Sequence, residues 1–135
     1  MSASLAFQTA ARGILVADSD VTALVPATNI LDANSQPEAF PRVVIGEDQE
    51  LPADDVVNRY TDLNSTFHIW TREPGLESAK AIAGAIRSAL VLTSWTQDGF
   101  VGIRTMLLSA RYLRDPDGKT GHGIITFKTL IQEGA

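Results

Sequence analysis

The stretch from Tyr112 to Lys128 constrains the fold of this chain most strongly, because it has the composition of a long β-hairpin. Two runs rich in apolar residues flank the turn sequence Asp115-Pro-Asp-Gly, which contains the residue types that tight turns favour. The pattern predicts a strand over 100–114, a turn over 115–121 and a strand over 122–131. This part of the chain is therefore expected to form two neighbouring antiparallel strands.

The alternation of residues along these two strands assigns their faces. In the first strand, Met106, Leu107 and Leu108 are consecutive and apolar, so either a bulge shifts the register there or both faces are covered. In the second strand the alternation is regular. One face carries Ile125, Phe127, Thr129 and Ile131, and the other carries Ile124, Thr126, Lys128 and Leu130.

The clearest periodic signal in the chain predicts a core helix over 76–91. Its apolar residues fall within roughly a 140° arc at about 100° per residue, and they are Leu76, Ala79, Ile82, Ala83, Ile86, Ala89 and Leu90. A second helix is predicted over 4–17, with Ser4 as its N-cap. Its apolar stripe consists of Phe7, Ala10, Ala11, Ile14 and Ala17.

The middle of the chain predicts two more strands, over 41–46 and 61–71. In the second of these, Phe67 and Ile69 face one side while His68 and Trp70 face the other. An irregular connection over 26–41 precedes the strands, because it contains three prolines and several Asn, Asp and Ser residues. The order of helix, two strands, helix and two strands predicts an α+β fold. We expect one domain over 1–135, with a mainly antiparallel sheet, a long β-hairpin and two helices packed on one face.

Composition narrows the classes of function. The formal net charge is −5, which argues against broad nucleic-acid binding because such binding requires a cationic face. The absence of cysteine excludes disulfides, thiolate metal sites and cysteine nucleophiles. No membrane association and no secretion signal are expected.

No catalytic, cofactor or metal site is predicted. The turn at Asp115 resembles the start of a calcium loop, but the twelfth position counted from it is Thr126 instead of a bidentate Glu. The two histidines, His68 and His122, have no spacing typical of metal ligands, and each is expected on a partly covered strand surface. An enzymatic function would rest only on carboxylates in the segment 47–58.

That acidic segment lies between the two middle strands, at or near the tip of their hairpin. Its carboxylates are Glu47, Asp48, Glu50, Asp54 and Asp55. They are candidate assembly residues, at which the chain would contact a neighbouring molecule. The alternatives are a solvated loop and a divalent-ion or acid/base site. Because the segment has little apolar content to bury, folding is not expected to depend on these carboxylates.

Several segments together resemble the tail terminator, or tail completion, proteins of long-tailed bacteriophages and gene transfer agents. They are the small helical turn Asp20-Val-Thr-Ala-Leu-Val, the strand entry Phe40-Pro-Arg-Val-Val-Ile-Gly-Glu, the strand Phe67-His-Ile-Trp-Thr-Arg-Glu-Pro-Gly, the helix segment Ile86-Arg-Ser-Ala-Leu and the hairpin from Arg111 to Phe127. The order and spacing of these motifs carry the resemblance. The resemblance covers nearly the whole chain.

This resemblance implies a structural protein of the virion. Proteins of the family form a ring, usually hexameric, on the head-proximal end of the tail tube. The expected partners are copies of the chain itself, the major tail tube protein and a head-side connector, and DNA passes through the channel without specific binding. The acidic segment is expected to contact a neighbouring subunit, the tube or the wall of the channel. The expected location is the neck of a particle, after assembly in the bacterial host cytoplasm. Another head–tail connector or neck protein and a non-viral α+β binding domain remain as alternatives.

Overall fold

A computed structural model describes residues 2–33, 38–91 and 93–134 of the chain. Its long elements are the helices α1 (Ala3–Ala17) and α3 (Glu77–Leu90) and the strands β2 (Arg42–Pro52), β3 (Arg59–Thr71), β5 (Phe100–Arg114) and β6 (Gly121–Glu133). The short ones are α2 (Ser19–Thr22), a 3-10 turn (Ala27–Asn29), β1 (Ile30–Leu31) and β4 (Trp95–Gln97). Of the predicted 26–41 connection, residues 34–37 lie outside the described residues.

The six strands form one sheet in the order β1-β2-β3-β6-β5-β4. Among the strands of the described residues, β1 and β2 are parallel and every other pair of neighbours is antiparallel. At its centre, β3 pairs with β6 from Arg59 opposite Glu133 to Thr71 opposite Gly121. The predicted α+β fold with a mainly antiparallel sheet is therefore confirmed.

Both long helices pack on the same face of this sheet, which we call the inner face. Phe67 of β3 lies at the centre of the core, with its ring centroid 6.2 Å from that of Phe7 on α1 and 5.6 Å from that of Phe127 on β6. Each side chain of this size that is fully buried contributes roughly 1.5–3 kcal/mol. The faces predicted for β3 and β6 are confirmed, since Ile69, Ile125 and Ile131 are also buried.

The two helices follow their predicted stripes to different degrees. All the stripe residues of α3 are buried except Leu76, which is the half-buried N-cap. In α1 the stripe is rotated, because Leu15 is fully buried whereas Ala17 is exposed. The predicted N-cap Ser4 is wrong: Ser2 caps α1 by accepting a hydrogen bond from the Leu5 N–H at 3.1 Å.

The irregular apolar run in β5 is a bulge, one of the two explanations that the sequence allowed. The register against β6 shifts between Leu107 and Ser109, so Leu108 is the extra residue. A second shift lies between Gly102 and Arg104. These bulges put the side chains of Leu107 and Tyr112 against the core and leave Leu108 exposed.

Candidate assembly surface

The two middle strands form the predicted hairpin with the acidic segment at and next to its tip, but the strand bounds differ from the prediction. β2 continues beyond residue 46 to Pro52, so Glu47, Asp48 and Glu50 are strand residues and only the loop 53–58 forms the hairpin tip. Low β-propensity does not end the strand at residue 46, because pairing with β3 satisfies the backbone while the charged side chains stay exposed.

Two of the carboxylates hold the beginning of α1. The Ser4 N–H donates a hydrogen bond to Glu50 Oε1 at 2.8 Å, and the Ser4 hydroxyl donates to Asp48 Oδ2. The first turn of a helix has backbone N–H groups without intrahelical partners and a positive dipole end, so negative charge there is favourable. Asp48 and Glu50 thus fix α1 to the far part of β2.

Two others shape the tip itself. The Tyr60 N–H donates to Asp54 Oδ1 at 2.9 Å, while Asp55 Oδ1 accepts from the N–H groups of Val57 at 2.8 Å and Asn58 at 2.6 Å. The bonds from Asn58 and Val57 hold the pKa of Asp55 below its usual value. This tip exposes two apolar side chains almost completely, with relative accessibilities of 103% for Val56 and 86% for Val57.

The fifth carboxylate belongs to a cluster on the outer face of the sheet, opposite the helices. Glu47 Oε1 lies 2.7 Å from His68 Nε2, and His68 Nδ1 lies 2.9 Å from His122 Nε2. The His122 ring stacks on Trp70 at a centroid distance of 3.7 Å. The hydrogen bond to His68 holds the pKa of Glu47 below its usual value. Each of the five carboxylates therefore has a hydrogen-bond partner within the chain, although all five side chains are exposed. That folding does not depend on them stays a prediction.

The histidines lie where the sequence predicted, half-buried on adjacent strands. Burial, followed by the nearby charge of His68, lowers the pKa of His122 below 6.5. Within 2–33, 38–91 and 93–134, no group of three or more His, Cys, Asp or Glu residues has the arrangement of a metal site. The turn at 115–121 is a side-chain-capped turn, since Asp117 Oδ1 accepts from the N–H groups of Lys119 and Thr120.

The structure brings cationic and apolar side chains of β5 together on one surface, which the sequence did not place. Arg104, Arg111 and Arg114 are exposed there. So are four apolar side chains, with relative accessibilities of 40–50%: Ile103, Met106, Leu108 and Leu113. The sequence signal for this surface was the broken alternation of β5. That signal indicates an exposed surface only where the strand lies near the edge of the sheet. Single exposed apolar residues are ordinary, whereas a row of them beside three arginines is a candidate interface.

Comparisons with known proteins agree with the resemblance seen in the sequence. The model of the family described as Tail completion protein gp17 matches residues 9–132. The chain is similar to Tail completion protein gp17 of Bacillus phage SPP1, with 26% identity over 102 residues that cover 76% of this chain and 75% of the relative.

The fold is also similar to that of a chain in a solved structure titled virion of native gene transfer agent (GTA) particle. The TM-score is 0.88 at 24% identity, and the match covers 97% of this chain and 98% of the other. In the part of the chain that the structure describes, every helix is too short or too polar to cross a lipid bilayer.

Proposed function

The chain belongs to the family of Tail completion protein gp17, and from this membership we propose that it forms a ring that ends a tail tube. The ring, usually of six copies in this family, caps the head-proximal end of the tube, stops its elongation and joins the tail to the head-side connector. The observation that carries the proposal is the family match over residues 9–132, which spans every long helix and strand except residues 3–8 of α1 and the last residue of β6.

The proposed partners are further copies of the chain, the major tail tube protein and the connector protein. Residues 1–135 act as one structural domain, and the carboxylates of the acidic segment and the exposed tip at Val56 and Val57 serve assembly. The net charge of −5 is compatible with a channel through which DNA slides, because an anionic wall repels phosphate. Assembly takes place in the host cytoplasm, and the finished ring lies at the neck of the particle.

The test is complementation of a particle that lacks its own terminator. The native chain is expected to restore tails of uniform length, attached heads and DNA delivery, with a ring visible by electron microscopy at the top of the tail. Ile82→Asp serves as a negative control, because it places a charge on a core position that is 2% exposed.

Three outcomes would count against this function in different ways. If the deficient particle formed tails of uniform length without added protein, the chain would not be needed as a terminator. If uniform tails required the protein but carried no ring at the top of the tail, the hypothesis of a ring would be wrong. Tails of normal length without attached heads in the absence of the chain would assign it instead to the head-side neck.

A further inference from the structure

Two long strands have edges that are unpaired over most of their length in the described residues. β1 pairs with β2 only at Val43 and Val44, and β4 pairs with β5 only over 100–102. Residues 45–52 of β2 and 103–114 of β5 therefore present unpaired backbone N–H and C=O groups at opposite sides of the sheet. An unpaired edge is a template on which another strand can bind.

These two edges carry opposite charge. The acidic edge, residues 45–52, contains Glu47, Asp48 and Glu50 and no basic residue. The basic edge, residues 103–114, contains Arg104, Arg111 and Arg114 and no acidic residue. Two acidic edges or two basic edges side by side would repel each other, whereas an acidic edge beside a basic edge is attractive. The charges thus favour a contact between unlike surfaces.

We infer that the acidic edge of one copy pairs with the basic edge of the next copy. This inference rests on the proposed function and names the contact that closes the ring. Because the two surfaces differ, the interface is heterologous, and such an interface forms a closed ring when its rotation closes. The partner at each edge is a second copy of this chain.

The directions of the strands support this contact. β2 is antiparallel to β3, β3 to β6, and β6 to β5, so β2 and β5 run in opposite directions. Rotation about an axis lying along the strands preserves their directions, and β2 of one copy therefore meets β5 of the next as an antiparallel pair. The four long strands of each copy continue one alternating sheet. A closed sheet has no edge left to aggregate.

The acidic edge and the basic edge also overlap along the direction of the strands. Gln49 pairs with Asn64, Asn64 with Lys128, and Lys128 with Met106, so Gln49 and Met106 lie in one row. Both side chains are exposed. Within one copy they are three strand spacings apart, which is about 14 Å.

Side chains on both faces add complementary contacts. On the inner face, Lys80 and Arg87 of α3 line a shallow groove beside the basic edge. The incoming acidic edge carries Asp48 and Glu50 on its inner face, where each carboxylate can accept further hydrogen bonds beside the one from Ser4. On the outer face, the exposed Leu51 of one copy and Met106 of the next become covered.

Engineered disulfides test the contact directly, because the natural chain contains no cysteine. Gln49→Cys and Met106→Cys are introduced together, and assembled particles or ring-capped tubes are oxidised. The separation of about 14 Å within one copy exceeds the roughly 7 Å limit for a disulfide, so any bond joins two copies. A ladder of covalent oligomers that ends in a closed ring is expected.

The pairing register can differ from the row in the single copy, so the partner cysteine is also placed at Arg104, Ser109 and Arg111 in separate variants. Gln49→Cys with Ser88→Cys on the exposed side of α3 is the matched control, and it should give only background dimer. Gln49→Cys alone should give no ladder.

Charge reversal gives a second measurement. Arg104→Glu with Arg111→Glu should raise the protein concentration needed for half-maximal ring formation by about tenfold or more. Lys119→Glu, in the exposed turn, should leave it unchanged, and thermal melts should show that all three proteins fold.

The two hypotheses fail separately. Imaged rings that end tails normally, but give no covalent ladder at any scanned position, would overturn the edge contact and leave the proposed function intact. If the native chain forms no ring and ends no tails, the proposed function is wrong and the edge contact falls with it.

Discussion

His68 on β3 and His122 on β6 lie with their ring nitrogens Nδ1 and Nε2 2.9 Å apart, although 54 residues separate them in sequence. Their rings are stacked at a centroid distance of 5.1 Å. His68 also contacts Glu47 through Nε2, so both of its nitrogens have polar partners. The pair therefore links the acidic edge strand to the centre of the outer face.

Acidification is expected to weaken the fold through His122. Burial, and then the charge of His68, holds the pKa of His122 below 6.5 in the folded chain. Between the lowered folded pKa and the unfolded value, the unfolded chain binds more protons, so the free energy of unfolding falls as pH falls through this window. It is fully retained above about pH 6.5. The loss at lower pH, below the usual pKa of Glu47, has a separate origin in its hydrogen bond to His68.

NMR titration of the His122 ring measures this directly. Its pKa should lie below 6.5 in the native chain and should rise in His68→Gln, because that change removes the neighbouring charge. In urea unfolding between about pH 5 and pH 8, His122→Gln should reduce the pH dependence. An unchanged pKa in His68→Gln would contradict the electrostatic explanation.

The buried stripe of α3 predicts unequal effects of the same new side chain at two nearby positions. Ile82 is 2% exposed, so Ile82→Asp should lower the free energy of unfolding by at least about 3 kcal/mol. Lys80 is exposed, with Nζ 5.7 Å from the Tyr112 ring centroid, and Lys80→Asp should cost about 1 kcal/mol or less. Thermal and urea unfolding of the two variants would test this, and equal stabilities would contradict the assigned face.

The contact between β2 and α1 predicts a measurable contribution from two acidic residues. Asp48→Asn with Glu50→Gln removes the charges beside the first turn of α1 and should lower the free energy of unfolding by about 1 kcal/mol. Glu133→Gln is the matched control, because its carboxylate lies 3.9 Å from exposed Arg59 and such surface pairs contribute little. Urea unfolding at low salt is the measurement. Equal losses in both proteins would show that the helix contact is not stabilising.

Two glycines predict opposite responses to the same substitution. A Cβ at Gly102 on β5 would overlap the rigid indole of Trp95, so Gly102→Ala should destabilise the chain by about 1–3 kcal/mol. Gly84 lies inside α3 with open space around it, and Gly84→Ala should stabilise by about 0.5–1 kcal/mol. Calorimetric melts would reveal shifts of opposite sign. A stabilised Gly102→Ala protein would show that Trp95 does not lie against this glycine.

The sequence alone determined the features that depend on local periodicity. The stripe of α3 was predicted because a helix repeats every 3.6 residues, and the faces of β3 and β6 because side chains alternate along a strand. Asp117 capped the predicted turn through bonds to Lys119 and Thr120, which are near it in sequence. The bulge at Leu108 was also indicated locally, because the alternation of apolar and polar residues is interrupted there in β5.

Only the tertiary structure decided which surfaces were available for assembly. Glu47, Asp48 and Glu50 became edge-strand residues because β3 satisfied one side of β2 while the two-residue β1 covered little of the other. The arginines of β5 are exposed because β6 covers only one side of this strand. β6 itself pairs on its other side with β3, through residues that are distant in sequence. Strand order and edges arise from such non-local pairings, which leave no periodic signal in the segments that form them.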